Sequence, residues 1–496
     1  MTEFELFSVG FALFATWQNL YAIAGGVIVG TLVGAIPAMT MSMGVALALP
    51  FTFYMNPVTG ILLLVGIYKG AIYGGSISAI LINTPGTPAA ACTVLDGHPL
   101  AKRGEAKRAL SMALYSSCIA DFISNLSLIL FAGFIASFAL RFGPPEFFML
   151  IVFSLTIIAG VSGKSLTRGL VSAGFGLILA TVGLDLVYGS ERFVFGSPNM
   201  LGGLSLIPVL IGLFALPEII NACGQKFGYQ EIIRNVGQKF VSWVEVRRCL
   251  PSIFRGSLIG VVLGAIPGIG AAPAAFLSYS EAKRTSKYAE NFGKGEIEGV
   301  AAAEAGNNGV SGATLIPLLS LGVPGDVTTA IMLGAFMIHG LQAGPLLFQQ
   351  NLDIVYALFC GILLSSFLLL IIGRIAIRFF ARIAELPNSI LLPGVLVLCF
   401  FGAYAINNSM FDILVMITMG VFGFFMLKFK LPPAPFLIAF VLGPLFEDNL
   451  RRSLLISRGE IDIFFRGGIT WFFLILTIFS VLFIAKRNLA SFVDLK

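Results

Sequence analysis

Charge is what this chain has least of. Of its 496 residues only 11% are Asp, Glu, Lys or Arg, while 57% are hydrophobic; a soluble domain carries roughly 25% charged residues. From residue 6 to residue 68 there is no charged residue and no histidine. A water-facing surface cannot be built from such material. A soluble globular enzyme and a disordered chain are excluded, which leaves a polytopic helical membrane protein. The runs are apolar all round instead of alternating, so a transmembrane β-barrel is excluded too. Histidine is almost missing, with only His98 and His339, and six scattered cysteines (92, 118, 223, 249, 360 and 399) contain no C-x-x-C pair. No transition-metal site is expected. The N-terminal MTEFELF lacks a basic n-region, so the first apolar stretch is expected to stay in the membrane. No nucleophile–base constellation stands out, and GVVLGAIPGIG lacks the lysine of a phosphate-binding loop. Neither an enzyme nor a cofactor is expected. The net charge of +6 is read as cytoplasmic loops, not as nucleic-acid affinity.

What is present is punctuation. Charge-free windows such as 122–140, 193–217, 386–411 and 467–485 suit membrane passage at about 1.5 Å per residue. Ten to twelve membrane-entering segments are expected. The least apolar stretch, 218–255, carries nine charged residues among apolar ones at helical spacing and reads as an interfacial amphipathic linker. On either side of it the chain repeats itself. GTLVGAIP (30–37) returns as GVVLGAIP (260–267), an offset of 230, and Pro85-Gly86 returns as Pro324-Gly325, an offset of 239. The loops swap character between the copies. The turn at 50–57 is uncharged, but 281–298 holds Lys283, Arg284, Lys287 and Lys294; 96–108 holds Lys102, Arg103, Lys107 and Arg108, but the stretch after Pro324-Gly325 has no Lys or Arg until Arg374. Because basic loops stay cytoplasmic, the copies are expected to be inverted: a first repeat over 1–217, the linker 218–255, and a second repeat over 256–496. The expected fold is therefore all-α and polytopic, with two inverted repeats.

From Ser257 to Ile266 is about 15 Å of helix, half a bilayer, so re-entrant hairpins are expected at Pro267-Gly268 and around Pro37. Helix breaks are expected at Asn83–Pro88 (Asn83, Thr84, Pro85, Gly86, Thr87, Pro88) and at Pro324–Thr329 (Pro324, Gly325, Asp326, Thr328, Thr329). Each is either a hairpin or a discontinuous spanning helix. A break frees N–H groups that suit a carboxylate and C=O groups that suit Na⁺. Ser76 and Ser78 precede the first break, as Asn307, Asn308 and Ser311 precede the second; the alternative for the serines is simple close helix packing. Asn83, Asn307 and Asp326 are the candidates for holding Na⁺, with a proton on Asp326 as the alternative. Lys69, Asp121 and Glu304 are intramembrane charges, hence candidate partners of the substrate or of one another. His98, in a basic loop, is expected to be solvated, and His339 to be structural.

Two long motifs carry a resemblance. YGGSISAILINTPGTPAAACTVLDGHPLAKRGEAKRAL (73–110) and GVAAAEAGNNGVSGATLIPLLSLGVPGDVTTAIMLGAFMIHGLQAGPLLF (299–348), supported by GLDLVYGSERFVFGS (183–197) and FLIAFVLGPLFEDNLRRSL (436–454), resemble the large membrane subunit of the tripartite tricarboxylate transporters, the TctA type. The resemblance implies a multi-pass protein of the bacterial inner membrane. Its implied partners are a small four-helix membrane subunit and a periplasmic solute-binding protein. It further implies ion-driven uptake of citrate-like or other small carboxylates, with Asn83–Pro88, Asn307–Asn308 and Pro324–Thr329 as contacts. A stand-alone ion-coupled carrier is the alternative.

Overall fold

The computed structural model describes residues 3–36, 39–161, 165–185, 188–224, 237, 239–377 and 388–493. Helix α1 (Glu3–Phe14) leads to α2 (Trp17–Ala35), α3 (Met41–Thr52) and the long α4 (Pro57–Ile82). After a break, α5 (Ala90–Leu100) runs through a kink at Gly104 into α6 (Ala106–Ala139). Then come α7 (Pro144–Val161), α8 (Leu166–Ala180), a two-stranded hairpin pairing Gly183–Leu184 with Glu191–Arg192, and α9 (Leu206–Gly224). Next are α10 (Trp243–Gly264) and α11 (Ala271–Thr285), followed by α12 (Ile297–Asn308), α13 (Val310–Ala313) and α14 (Leu315–Leu321). After a second break stand α15 (Val327–Ile338), α16 (Pro345–Gln350), α17 (Leu352–Ala376), α18 (Asn388–Ala405), α19 (Met410–Lys428), α20 (Pro433–Ile456) and α21 (Gly468–Val493). Seven helical stretches among the described residues are long and apolar enough to cross a bilayer, accompanied by six shorter apolar helices. Apolar side chains such as Phe134, Val262, Phe479 and Phe483 point outward, as a lipid-facing surface requires. The chain is an all-α, multi-pass membrane protein.

The helix before Pro267 differs from expectation. It starts at Trp243, well before Ser257, under a capping box in which Ser242 Oγ accepts from the Glu245 amide (3.3 Å) and the Glu245 carboxylate accepts from the Ser242 amide (2.8 Å). Residues 243–255 are thus its opening turns and not linker. Their charges do not end the helix because they find partners at its end: Arg248 pairs with Glu296 at 2.5 Å, and Arg255 donates to Thr285 at 2.6 Å. The remainder of the expected linker at 225–236, and Pro37 of the first expected hairpin, lie outside the described residues.

Glycine seams fix the closest packing. Gly26, Gly30 and Gly34 of α2 face the backbone carbonyls of Leu63, Ile67 and Ala71, while Gly66, Gly70 and Gly74 of α4 face those of Ile23, Val27 and Thr31. A Cβ at any of the six would collide with a carbonyl oxygen, so the two backbones lie in direct contact over three turns. In the second half Gly256, Gly260 and Gly264 of α10 lie against Ala305, Gly309 and Ala313. These glycines stand 230 residues after 26, 30 and 34.

The two basic loops meet at one end of the molecule. Arg103 donates to the Lys294 carbonyl at 2.5 Å, Arg108 pairs with Glu105 and Glu245, and Asp96 accepts from the amides of Gly293, Gly295 and Glu296 at 2.7–2.9 Å. At the opposite end Asp185, Arg192, Glu447 and Arg451 form a joined ion-pair network.

Candidate functional site

Two interrupted helices form the polar interior. Asn83 ends α4 in the left-handed conformation (φ 60°). The chain then folds back, so that the Gly86 amide donates to the Gly75 carbonyl at 3.2 Å and Thr87 lies against Gly75. Gly86 also abuts the Gly34 carbonyl, an approach a larger residue would block. From there α5 starts again alongside the end of α4; Ala89 supplies no side-chain cap, but Thr87 Oγ1 accepts from the Ala90 amide at 3.3 Å. Asn83, Pro85 and Pro88 are exposed, Thr84 is half-buried, and Gly86 and Thr87 are buried.

The second break is built alike but finished differently. Gly322 ends α14 (φ 72°), and Gly325 folds back onto the backbone of Thr314, eleven residues earlier, as Gly86 folds onto Gly75. Pro324 and Gly325 are buried. Asp326 caps α15 with its own carboxylate: Oδ1 accepts from the Thr329 amide at 2.7 Å, and Thr329 Oγ1 accepts from the Asp326 amide at 2.8 Å. Tyr68 of α4 reaches across to donate to Asp326 Oδ2 at 3.0 Å, with Thr314 Oγ1 3.2 Å from the same hydroxyl. The Pro267-Gly268 turn touches this break directly, the Gly268 amide donating to the Gly325 carbonyl at 2.7 Å.

Two buried carboxylates lie nearby. Asp121 pairs with Lys69 at 2.9 Å, both 1% exposed. Asn125, Ser311 and Ser366 complete the cluster, the two serines donating to Asp121 at 2.5 Å each. Lys69 is thereby assigned to Asp121. Glu304 stands apart. It accepts from Ser76 at 2.5 Å, from Thr93, from Ser117 at 3.1 Å and from Asn308 Nδ2 at 3.2 Å. Two further polar atoms have no hydrogen-bond partner among the described residues: Asn307 Nδ2, in a side chain 1% exposed, and Thr328 Oγ1, fully buried. Buried polar groups are almost always bonded.

The structure thus brings Ser76, Asn308 and Glu304 into one cluster, joins Lys69 to Asp121, and groups Pro267, Gly268, Pro324, Gly325, Asp326 and Thr329 at the second break. His98 departs from expectation. It is buried and its Nδ1 lies 3.0 Å from the Ile80 carbonyl, because the fold-back lays α5 along α4 as far as Leu100. Tyr68, Thr93, Ser117, Thr314 and Asn125 were not singled out from sequence. Ser117, Asp121, Ser124 and Asn125 do carry a signal, a polar stripe at i, i+4, i+7 and i+8 on an otherwise apolar helix. A cavity of about 350 Å³ at the end opposite the basic loops reaches Leu321, Gly322 and Val323, and is rimmed by Gln342, Asn449 and Arg452.

Comparison with known proteins decides the family. The model of the tripartite tricarboxylate transporter TctA family matches residues 20–438. The chain belongs to that family. It is therefore a membrane transporter subunit that works with partner subunits. A protein of Agrobacterium vitis described as an uncharacterized 52.8 kDa protein in the TAR-I ttuC' 3' region is 37% identical over 92% of this chain and 91% of its own length. A second, described as an uncharacterized protein in the TAR-II ttuC' 3' region of the same organism, is 37% identical over 41% of this chain and 85% of its own length. No solved structure matches.

Proposed function

We propose that this TctA subunit carries small organic carboxylates into the bacterial cell by alternating access, driven by a cation gradient. A periplasmic solute-binding protein delivers the carboxylate, and a small four-helix subunit completes the membrane complex. The basic end is cytoplasmic by the positive-inside rule. The two halves are inverted repeats. That reading is supported by the swapped basic loops, by glycine seams at the same 230-residue offset, and by two breaks that each fold back onto a residue eleven positions earlier.

One observation carries the site. Tyr68 and Asn307 are equivalent at the 239-residue offset, as are Thr87 and Asp326. Tyr68 of the first half bonds Asp326 at the second break, whereas Asn307 Nδ2 of the second half has no partner among the described residues. At the start of α5 the matching cap is only the neutral Thr87 hydroxyl, on the Ala90 amide, and a substrate carboxylate there supplies the charge that Asp326 supplies at the start of α15. It lies against the helix dipole at the start of α5, with Asn307 donating to one of its oxygens. Asp326, already a carboxylate at a helix start, serves instead as the Na⁺ ligand, with Thr328 and the carbonyls of the break; Asn83 closes the entrance on the cytoplasmic side. Sliding of one half's hairpins against the other moves the site between the two sides.

The test is uptake into proteoliposomes holding the co-purified membrane subunits, with labelled citrate, succinate and a monocarboxylate. Uptake that requires both the binding protein and a Na⁺ gradient is the expected result. Uptake without the binding protein establishes a stand-alone carrier. Flux of every small anion without saturation or counterflow defeats the transporter mechanism.

A further inference from the structure

Glu304 is the buried carboxylate that the proposed site does not use. It lies on α12, fully buried, and among the described residues no Lys, Arg or His forms an ion pair with it. Its partners come from four helices: Ser76 from α4, Thr93 from α5, Ser117 from α6 and Asn308 from α12 itself. Asp121, one helical turn beyond Ser117, has Lys69 to neutralise it. A carboxylate at membrane depth with no cation is costly unless it is neutralised.

We propose that Glu304 is a proton-binding site of the transport cycle, loaded when a carboxylate substrate arrives at the start of α5. The shell fits a group that exists in two forms. Three of its four partners are hydroxyls, which can donate to the carboxylate or turn to accept from the acid. The site is also placed to sense the substrate. Thr93 stands one turn into α5, and Ser76 follows Gly75, whose carbonyl holds the Gly86 amide. An anion on the first turn of α5 and a charged Glu304 would repel across about one helical turn, and a proton on Glu304 removes that repulsion. The proton binds from the outer side with the substrate and leaves to the cytoplasm after it. The inference rests on the transport reading.

Other titratable groups on the helices packed against α12 have surroundings of their own; His98 of α5 lies 3.0 Å from the Ile80 carbonyl. Tyr73 of α4 and Cys92 of α5 face Glu304 and carry no positive charge. Asp96 of α5 is held by Tyr279 of α11 and by the 293–296 amides, and Asp121 by Lys69. Cys118 of α6 lies beside the Lys69–Asp121 pair, and Cys249 of α10 beside Arg248, Glu296 and Glu298.

Infrared difference spectra of the purified membrane complex, titrated with acid, test this without any substrate. A protonated-carboxyl band is expected in the native complex and in Asp326→Asn, and is expected to vanish in Glu304→Gln. Persistence of the band in Glu304→Gln overturns the proposal. So does a Glu304-dependent signal that follows added NaCl at fixed pH, which would make the site a sodium site. Should Glu304→Gln not fold, Thr93→Val removes one donor from the charged form. It is expected to raise proton affinity about tenfold, one pH unit of midpoint; an unmoved midpoint overturns the proposal. In proteoliposomes, labelled citrate uptake is expected to rise with an inward proton gradient in the native complex and to ignore it in Glu304→Gln. Failure of every carboxylate to be taken up would sink the transport reading and leave the infrared result standing.

Discussion

Tyr68-Lys69 in the first half and Asn307-Asn308 in the second occupy matching places, 239 residues apart, and the structure treats them differently. The first pair is satisfied: Tyr68 holds Asp326 and Lys69 holds Asp121. In the second pair Asn308 tends a carboxylate that has no cation, and the Asn307 amide has one nitrogen with no partner. The breaks show the complementary asymmetry. The start of α15 is capped by the Asp326 carboxylate, while the start of α5 has only the neutral Thr87 hydroxyl, accepting from the Ala90 amide at 3.3 Å. Where the chain supplies both halves of an interaction, it builds scaffold. Where it supplies one half, it leaves a place for something that comes and goes.

The comparison can be broken most sharply at Lys69. Lys69→Met leaves Asp121 buried without its cation, and should cost about 3–5 kcal/mol of stability, read as a large fall in the thermal unfolding midpoint in detergent. Asn308→Leu, its counterpart, removes one neutral donor and should cost only about 1–3 kcal/mol; equal losses would show that the two carboxylates are not differently supported. Asp326→Ala removes a cap, worth about 1 kcal/mol, and should also weaken the Na⁺ dependence of uptake. Stability loss with ion dependence unchanged would confine Asp326 to capping. Asn307→Leu removes an amide nitrogen that bonds nothing, so stability should stay within about 0.5 kcal/mol, while half-saturation for a transported carboxylate rises about tenfold. A stability loss matching that of Tyr68→Phe would erase the distinction between the pairs. Finally, cysteine at the exposed Asn83 should react with a membrane-impermeant thiol reagent from the basic side, and cysteine at the buried Pro324 should not; labelling at both positions would show the breaks to be equally open.

Much of this was legible before any coordinates. The scarcity of charge required a polytopic helical protein, and the Pro-Gly pairs marked both places where helices stop. Intramembrane charge pointed to Lys69, Asp121 and Glu304, but periodicity could not say which pairs with which, since the partners lie 52 residues apart for Lys69–Asp121 and 228 apart for Ser76–Glu304. Tyr68 and Thr93 escaped notice because a tyrosine or threonine in an apolar helix looks like ordinary packing. The length of α10 is hidden in the sequence because charges at 243–255 read as an interface, when Arg248 is neutralised by Glu296 and Arg255 by Glu281, both from other segments.

The sequence alone determined the solvent this protein lives in, the positions where its helices must break, and the family it belongs to, because each depends on composition or on short local motifs. The tertiary structure alone decided which buried charge is neutralised, which helix start is capped and which polar atoms are left over. Those outcomes depend on side chains from distant segments meeting in a medium without water, where a missing partner cannot be replaced by solvent.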